Sequence, residues 1–398
     1  MAISRRDVLL GSAGALGATS FSFPMPALAD SEPIKIGCLA AMTGPSSAPT
    51  LGFNRGVAFA VDAINAAGGV KGRKIEIVMR DTQGDPSKAV NATQEMISQV
   101  KVHGIWGPLN SGEALATTPI MGRAKMPNIH PCVVETLIDP AKYPNAFRMA
   151  PSNSQWDDAV RNYCLNILKA KKIAVIGDTT GYGVTALGAS VAAFKKDGAE
   201  VVYQANIDAT QPDVSPDMLR ARNAGAEAIV VWSVTTGMDA RMFNTRATMG
   251  WDVPFVGHPS MSSGEIAGLV EKPENWKKVY AIGYKSCSYD ASGKLPAKSE
   301  ELVARLTRAK IALSDTLLWW IAGGIDAVEL FAKAVEISGS TDGPGIIAYL
   351  NSLDKYPGYF GDYTFTPTQH NGYPTDEVVM SEASTAKNGT FALAPGYS

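Results

Sequence analysis

The residues with the best claim to chemistry are Asn110-Ser111-Gly112-Glu113, which follow Gly104-Ile105-Trp106-Gly107-Pro108-Leu109. Gly104–Gly107 reads as the end of a short buried strand, and Pro108 breaks it. Asn110 followed three residues later by Glu113 is a variant of the capping box, opening a helix over Ala114–Ala124. A helix start leaves backbone N–H groups unpaired, with a partial positive charge behind them. A carboxylate or phosphate can dock there, with the Ser111 hydroxyl as a further donor. On spacing alone, a plain helix cap accounts for the same residues.

Catalytic constellations do not compete with this seat. His103, His130, His258 and His370 fall in no metal-ligand spacing, and neither a G-x-S-x-G elbow nor a G-x-x-x-x-G-K-[ST] phosphate loop occurs. Asp81 and Asp85, in D-T-Q-G-D-P, read as a turn and a helix start. No catalytic activity, cofactor or metal is expected. A formal charge of −2 without a basic stripe argues against nucleic acid as a partner. Cys38, Cys132, Cys164 and Cys287 form no C-x-x-C pair, and disulfides and buried free thiols are both open.

Positioning Ser111 falls to a strand–helix rhythm. Ile34–Ala41 is an apolar strand, and a helix from Gly52 places Val57, Ala60, Val61 and Ile64 on one face before Gly68-Gly69 ends it. Strand Lys74–Arg80, helix Asp85–Lys101, the opening stretch and strand Asn128–Pro131 follow. The rhythm restarts after Pro151, with strands at Lys172–Asp178, Glu200–Ala205, Ala228–Trp232 and Val253–Gly257 between helices. Lys278–Lys285 reads as a strand running back between lobes, and Ser314–Ser338 as a long helix carrying Trp319 and Trp320. Parallel strands need crossover connections, so this alternation predicts an α/β fold of two doubly wound parallel-sheet lobes. Crossings near 150, 283 and 357 make a three-segment hinge, with 30–150 and 283–357 in lobe 1 and 151–282 and 358–398 in lobe 2.

Open parallel sheets bind ligands at the carboxyl ends of their strands. Polar or aromatic residues recur there: 43–47, 110–112 and 132–135 in the first lobe, 179–182, 233–236 and 258–260 in the second. The candidates are Asn110, Ser111, Gly112, Cys132 and Val134 on one wall and Tyr182, Trp232, Thr235 and His258 on the other. Trp232 serves equally as core, and Trp156 lines the cleft mouth or sits on the surface.

The N-terminus reads as an export signal. Ser4-Arg5-Arg6-Asp7-Val8-Leu9-Leu10 precedes a Gly/Ala-rich apolar run to Phe23, and Ala27-Leu28-Ala29 is an A-x-A cleavage site. The paired arginines resemble a twin-arginine signal, with the ordinary secretory route as the alternative. No later stretch is long and apolar enough to cross a bilayer. A periplasmic, monomeric protein is expected once residues 1–29 are removed.

I-K-I-G-x-L-A-A-M-T-G at 34–44, the segment 52–77 with its R-G-V-x-x-A-V-D-x-I-N-A-A-G-G core, D-T-Q-G-D-P at 81–86, G-P-L-N-S-G at 107–112 and D-T-T-G-Y-G at 178–183 carry a resemblance. In type and order they are similar to periplasmic leucine/isoleucine/valine-type binding proteins, over essentially the whole mature chain. The resemblance implies two lobes closing on a small ligand that is delivered to a membrane ABC permease. It implies that Ser111 and nearby N–H groups hold the ligand carboxylate, that Tyr182 closes over it, and that Cys132 and Val134 lie in the gripping loop. Val134 stands where that loop usually has a threonine. The His258-Pro259-Ser260 loop lacks the acid that pairs with an ammonium, Leu51 stands where an aromatic can occur, and Asn110 replaces a disulfide cysteine. Glu135, Asp178 and Asp239 are the acids left to serve an ammonium. The leading expectation is therefore a small carboxylate without an α-ammonium, such as an aromatic or keto acid. An amino acid is the alternative, and an exported enzyme a distant third.

Overall fold

The structure, a computed structural model, describes residues 32–44, 47–374 and 376–397. The export signal expected at residues 1–29 lies outside these. The first run of elements is β1 (Ile34–Ala40), α1 (Ser47–Ala66), β2 (Ile75–Asp81), α2 (Pro86–Glu95), β3 (Gly104–Trp106), α3 (Ser111–Arg123), β4 (Asn128–His130) and β5 (Ala146–Arg148). Its strands form one parallel sheet in the order β2-β1-β3-β4-β5.

The second run is α4 (Asn153–Asn162), β6 (Lys172–Asp178), α5 (Gly181–Lys196), β7 (Glu200–Ile207), α6 (Ser215–Asn223), β8 (Ala228–Trp232), α7 (Thr236–Thr248), β9 (Phe255–Gly257) and β10 (Val279–Tyr284). The chain ends with α8 (Ala297–Arg308), α9 (Leu318–Ser338), α10 (Gly343–Leu350), β11 (Tyr356–Pro357), β12 (Asp362–Tyr363) and β13 (Val378–Glu382). The second sheet runs β13-β10-β9-β8-β6-β7, parallel except for β13. Strand β8, A-I-V-V-W, is buried at every residue, as a strand covered on both faces must be. Two doubly wound sheets are thus present, as the alternation predicts.

Differences from the expected pattern have local causes. Helix α1 begins at Ser47 rather than Gly52, with Pro49 tolerated in its first turn. β5 pairs with β4 where the sequence reads as a crossing, and α8 and α10 are additions to the reading. β10 does not run between lobes: it pairs with β9 and β13 inside the second sheet. The last passage comes later than 357. Arg148 N–H donates to the His370 carbonyl and Gly372 N–H to the Arg148 carbonyl, both at 2.9 Å, and Phe365 packs on Phe147 at 5.2 Å. Residues 363–372 therefore lie on the edge of the first sheet. All four cysteines are buried free thiols.

Helix α9 is the long internal support. It is buried along most of its length and packs along α1. The approach is close enough to demand glycine on both sides: a Cβ on Gly56 would lie 2.0 Å from the Ile321 carbonyl oxygen, and one on Gly324 would lie 2.2 Å from that of Phe53. This packing brings Phe53 and the first turn of α9, with Trp319 and Trp320, to the same end of the first sheet as Ser111. A β-branched or larger residue at Gly324 is expected to destabilise the fold by at least about 1–3 kcal/mol, the scale of overpacking; urea denaturation of Gly324→Val checks it.

Candidate binding cleft

Each wall of the cleft is built from helix starts. On the first wall β3 ends at Trp106, and Asn128 Nδ2 holds the turn that follows by donating to the Ile105 carbonyl at 3.1 Å and the Gly107 carbonyl at 2.7 Å. Asn110 caps α3, its Oδ1 accepting the Gly112 N–H at 2.9 Å. That bond uses the Gly112 amide, so the seat at this wall rests on the N–H and hydroxyl of Ser111. Asn110 and Gly112 thus act as cap and capped, with Asn110 also lining the cleft.

On the second wall, D-T-T-G-Y-G folds around its own aspartate. Asp178 Oδ1 accepts from Thr180 N at 3.0 Å and Thr180 Oγ1 at 2.5 Å, and Oδ2 accepts the Val234 N–H at 2.9 Å. Thr180 Oγ1 in turn caps α5 at the Gly183 N–H, 3.1 Å away. One carboxylate therefore ties the end of β6 to the loop before α7 and fixes Tyr182 in the first turn of α5. The starts of α3 and α5 meet at their glycines: a Cβ on Gly181 would lie 3.0 Å from Gly112 Cα.

Between the walls is a cavity of about 60 Å³ lined by Asn110, Ser111, Cys132, Tyr182 and His258, five of the nine residues the sequence singles out. By the space one water needs, about 10–15 Å³ on this measure, it has room for a few water-sized groups. Trp156 lines it as well, buried rather than on the surface, its Nε1 donating to the Tyr284 hydroxyl at 3.0 Å. Three predicted residues are elsewhere. Trp232 is wholly buried at the end of β8, in the core. Thr235 precedes α7, and its neighbour Val234 lines the cavity instead. Val134 packs with Ala114, Cys132 and Leu137, leaving Val133 as the lining residue of that loop.

Phe53, Trp319 and Trp320, none of them among the nine candidates, also line the cavity. Their signal was available: Trp319-Trp320 opens a helix, as Ser111 and Tyr182 do. Phe53 and Trp319 meet edge to face at 5.9 Å, and Trp319 reaches Tyr284 at 5.0 Å, so the apolar floor is a connected aromatic set.

Charge is what the cavity lacks. No Asp, Glu, Lys or Arg is among its described lining residues. The acids proposed for an ammonium are engaged elsewhere. Glu135 pairs with Arg148 and accepts from Ser154 N and Oγ; Asp178 is used as above; Asp239 accepts from Ser260 Oγ at 2.8 Å. His258 is neutral, burial pulling its pKa down to about 3. His103 Nδ1 accepts the Lys35 N–H, His130 Nδ1 the Cys132 N–H, and His370 bridges the Ala146 carbonyl and Asn351. Asp81 and Asp85 are the turn and cap residues their motif suggests, Asp85 Oδ1 accepting from Ser87 and Lys88 N–H. No metal-binding cluster occurs among the described residues.

One buried acid lies just behind the seat. Glu113, in the first turn of α3, is fully buried, and neither carboxyl oxygen completes a hydrogen bond among the described residues. Burial pushes its pKa up to about 7, with Thr82 and the Asn110 backbone moderating the rise. An unfolded glutamate titrates near 4.3, so between about pH 4.5 and 7 the folded state holds a proton that the unfolded state has lost. Stability should fall as pH rises through that window and level off above it. Glu113→Gln is expected to remove this slope, worth about 3 kcal/mol; denaturation at both ends of the window measures it, and an unchanged slope would contradict the assignment.

The cleft lies between two doubly wound sheets and is walled by helix starts. The chain belongs to the periplasmic binding protein family, whose sequence model matches residues 33–388. Among curated relatives, a Leu/Ile/Val-binding protein homolog of Brucella melitensis is 28% identical over 212 residues, 53% of this chain and 56% of that protein. The chain thus spans little more than half the length of that relative. Among solved structures, the branched-chain amino acid transporter substrate-binding protein LivJ of Streptococcus pneumoniae, in complex with isoleucine, matches with a TM-score of 0.78 at 24% identity over 91% of this chain and 99% of its own. An ABC transporter solute-binding protein of Rhodopseudomonas palustris, in complex with 4-hydroxybenzoate, matches with a TM-score of 0.74 at 20% identity over 92% of this chain and 96% of its own. At these identities the structures speak to the fold. Among the described residues no helix is long and apolar enough to cross a membrane.

Proposed function

We propose that this chain is the periplasmic solute-binding protein of an ABC importer, capturing a small carboxylate without an α-ammonium and passing it to a membrane permease. The observation that carries this reading is the uncharged lining of the cleft beside a helix-start seat. A carboxylate is matched by the Ser111 N–H, its hydroxyl and the helix dipole. A buried ammonium with no acid to pair it would cost several kcal/mol. The aromatic floor of Phe53, Trp156 and Trp319 suits a planar or branched apolar body. Closing of one lobe on the other shifts the population toward a ligand-bound state that the permease reads. Residues 1–29 serve as the export signal in this reading.

The names of curated relatives favour the second reading, an α-amino acid. The fold does not choose, since similar structures hold isoleucine in one case and 4-hydroxybenzoate in another. Mass spectrometry of ligand retained by protein purified without denaturation decides: a carboxylic acid lacking an amino group is expected, and a retained α-amino acid overturns the first reading. For that retained ligand, Ser111→Ala should weaken binding by about 1–2 kcal/mol in calorimetry, the scale of one charge-assisted bond. Unchanged affinity would reduce Ser111 to a helix residue.

A further inference from the structure

The ring of His258 is held in one tautomer by its surroundings. Its Nδ1 accepts the Ser260 N–H at 3.1 Å, capping the short turn Pro259–Ser262. A backbone amide can only donate, so Nδ1 carries no proton. A neutral imidazole without a proton on Nδ1 has it on Nε2. The atoms behind Nδ1 keep this arrangement. Ser260 Oγ lies 2.9 Å from Nδ1, 2.7 Å from the Ser233 carbonyl oxygen and 2.8 Å from Asp239 Oδ2. Asp239 is fully buried, and burial drives its pKa well up. Ser260 Oγ gives its one proton to Asp239 Oδ2, to the Ser233 carbonyl or to Nδ1. None of these places a proton on Nδ1, which the Ser260 N–H already occupies.

Nε2 has no acceptor among the described residues, and the ring lines the cleft. It meets Trp156 edge-on at 5.3 Å and Tyr182 at 5.1 Å. Tyr182 adds a buried hydroxyl with no hydrogen-bond partner among the described residues at the same wall. Ser111 lines the same small cavity from the other side, so one small ligand can touch both.

We propose that His258 presents a fixed Nε2–H to the cleft, so that the protein selects carboxylates carrying a second, uncharged oxygen, a carbonyl or a hydroxyl, over acids that lack it. This rests on the carboxylate reading above and deepens it. The same donor meets an ammonium donor to donor, which disfavours an α-amino acid at this wall for a reason separate from the missing acid.

Two measurements on the full chain test the proposal. Long-range proton–nitrogen NMR of the His258 ring should find Nε2 protonated and Nδ1 bare at neutral pH; the opposite tautomer or an imidazolium overturns it. Calorimetry then compares 4-methyl-2-oxopentanoate with 4-methylpentanoate and 4-hydroxybenzoate with benzoate. The oxygenated member of at least one pair should bind about 3- to 10-fold more tightly, one neutral hydrogen bond, and the pair that discriminates tells carbonyl from hydroxyl. His258→Phe should level that pair while His258→Gln, which keeps a donor, retains part of the preference. Should these variants not fold, the wild-type pairs still decide. Binding without discrimination overturns the selection alone, whereas failure of all four acids to bind refutes the carboxylate reading and the selection with it.

Discussion

Gly181→Val is expected to weaken ligand binding by roughly 10- to 100-fold while leaving the ligand-free protein folded. Gly181 opens α5 and faces Gly112 at the start of α3, where even a single Cβ would come to 3.0 Å from Gly112 Cα and 3.4 Å from its nitrogen. Both neighbours are backbone at a helix start, so neither can swing aside. A branched side chain must hold the two starts apart, and overpacking of this kind costs about 1–3 kcal/mol. At about 1.4 kcal/mol per tenfold, that gives the stated range if the closed form alone binds. Gly181 sits at a helix's first position with no left-handed backbone to preserve, so the fold should tolerate the change. Gly181→Ala should fall between wild type and valine. Calorimetry of the series checks the effect, and small-angle scattering with ligand should show the valine variant remaining open. A valine variant that binds as wild type does would show that this contact plays no part in closure.

Arg148→Ala should destabilise the protein by about 3–5 kcal/mol, the scale for removing one partner of a buried charged network. The side chain is wholly buried at the end of β5. Nη1 donates to the Val133 and Val134 carbonyls at 3.0 and 3.1 Å, Nε to Asn371 Oδ1 at 3.1 Å, and Nη2 pairs with Glu135 at 3.3 Å. One residue thus fastens the cleft loop 132–135 and the returning segment around Asn371 to the first sheet. Without it the Val133 and Val134 carbonyls each lose one donor, keeping those of Asn153 and Leu137, while Asn371 and Glu135 lose this partner and a void remains. The Glu135 end is half exposed and adds little. Chemical denaturation measures the loss; a change below about 1 kcal/mol would mean that water replaces the guanidinium without cost.

The fold was legible because its signal repeats. Strands such as Lys172–Asp178 and Ala228–Trp232 lie where their apolar runs place them, since burial on both faces leaves no polar alternation to confuse their ends. Legibility fails where neighbours rather than local pattern decide. β5 is only Ala146–Arg148, and nothing in A-F-R distinguishes a short edge strand from a crossing until β4 pairs with it. The return of residues 363–372 to the first sheet is set by His370 and Asn371 meeting β5, a contact across more than two hundred residues.

The cleft divides in the same way. Ser111 and Tyr182 were legible as helix starts with recognisable caps. Trp232 stayed open between cleft wall and core because a strand's carboxyl end also packs, and its burial depends on elements packed over it. Val134 and Val133 differ by one residue in a loop whose turn is set by Arg148, which the sequence does not announce. The absence of an acid from the 258–260 loop was legible; that Asp239 faces Ser260 instead of the cleft was not, because a helix position alone does not say which way its side chain is spent.

The most direct test of the central claim is a thermal-shift panel in which α-amino acids are each paired with the 2-oxo acid of the same side chain. The members of a pair differ only where an ammonium replaces an oxo group, so the comparison isolates the charge that the cleft has no acid to meet. Stabilisation by oxo acids, and by none of their amino acid partners, is the predicted result. Stabilisation by amino acids but not by their oxo partners would contradict it.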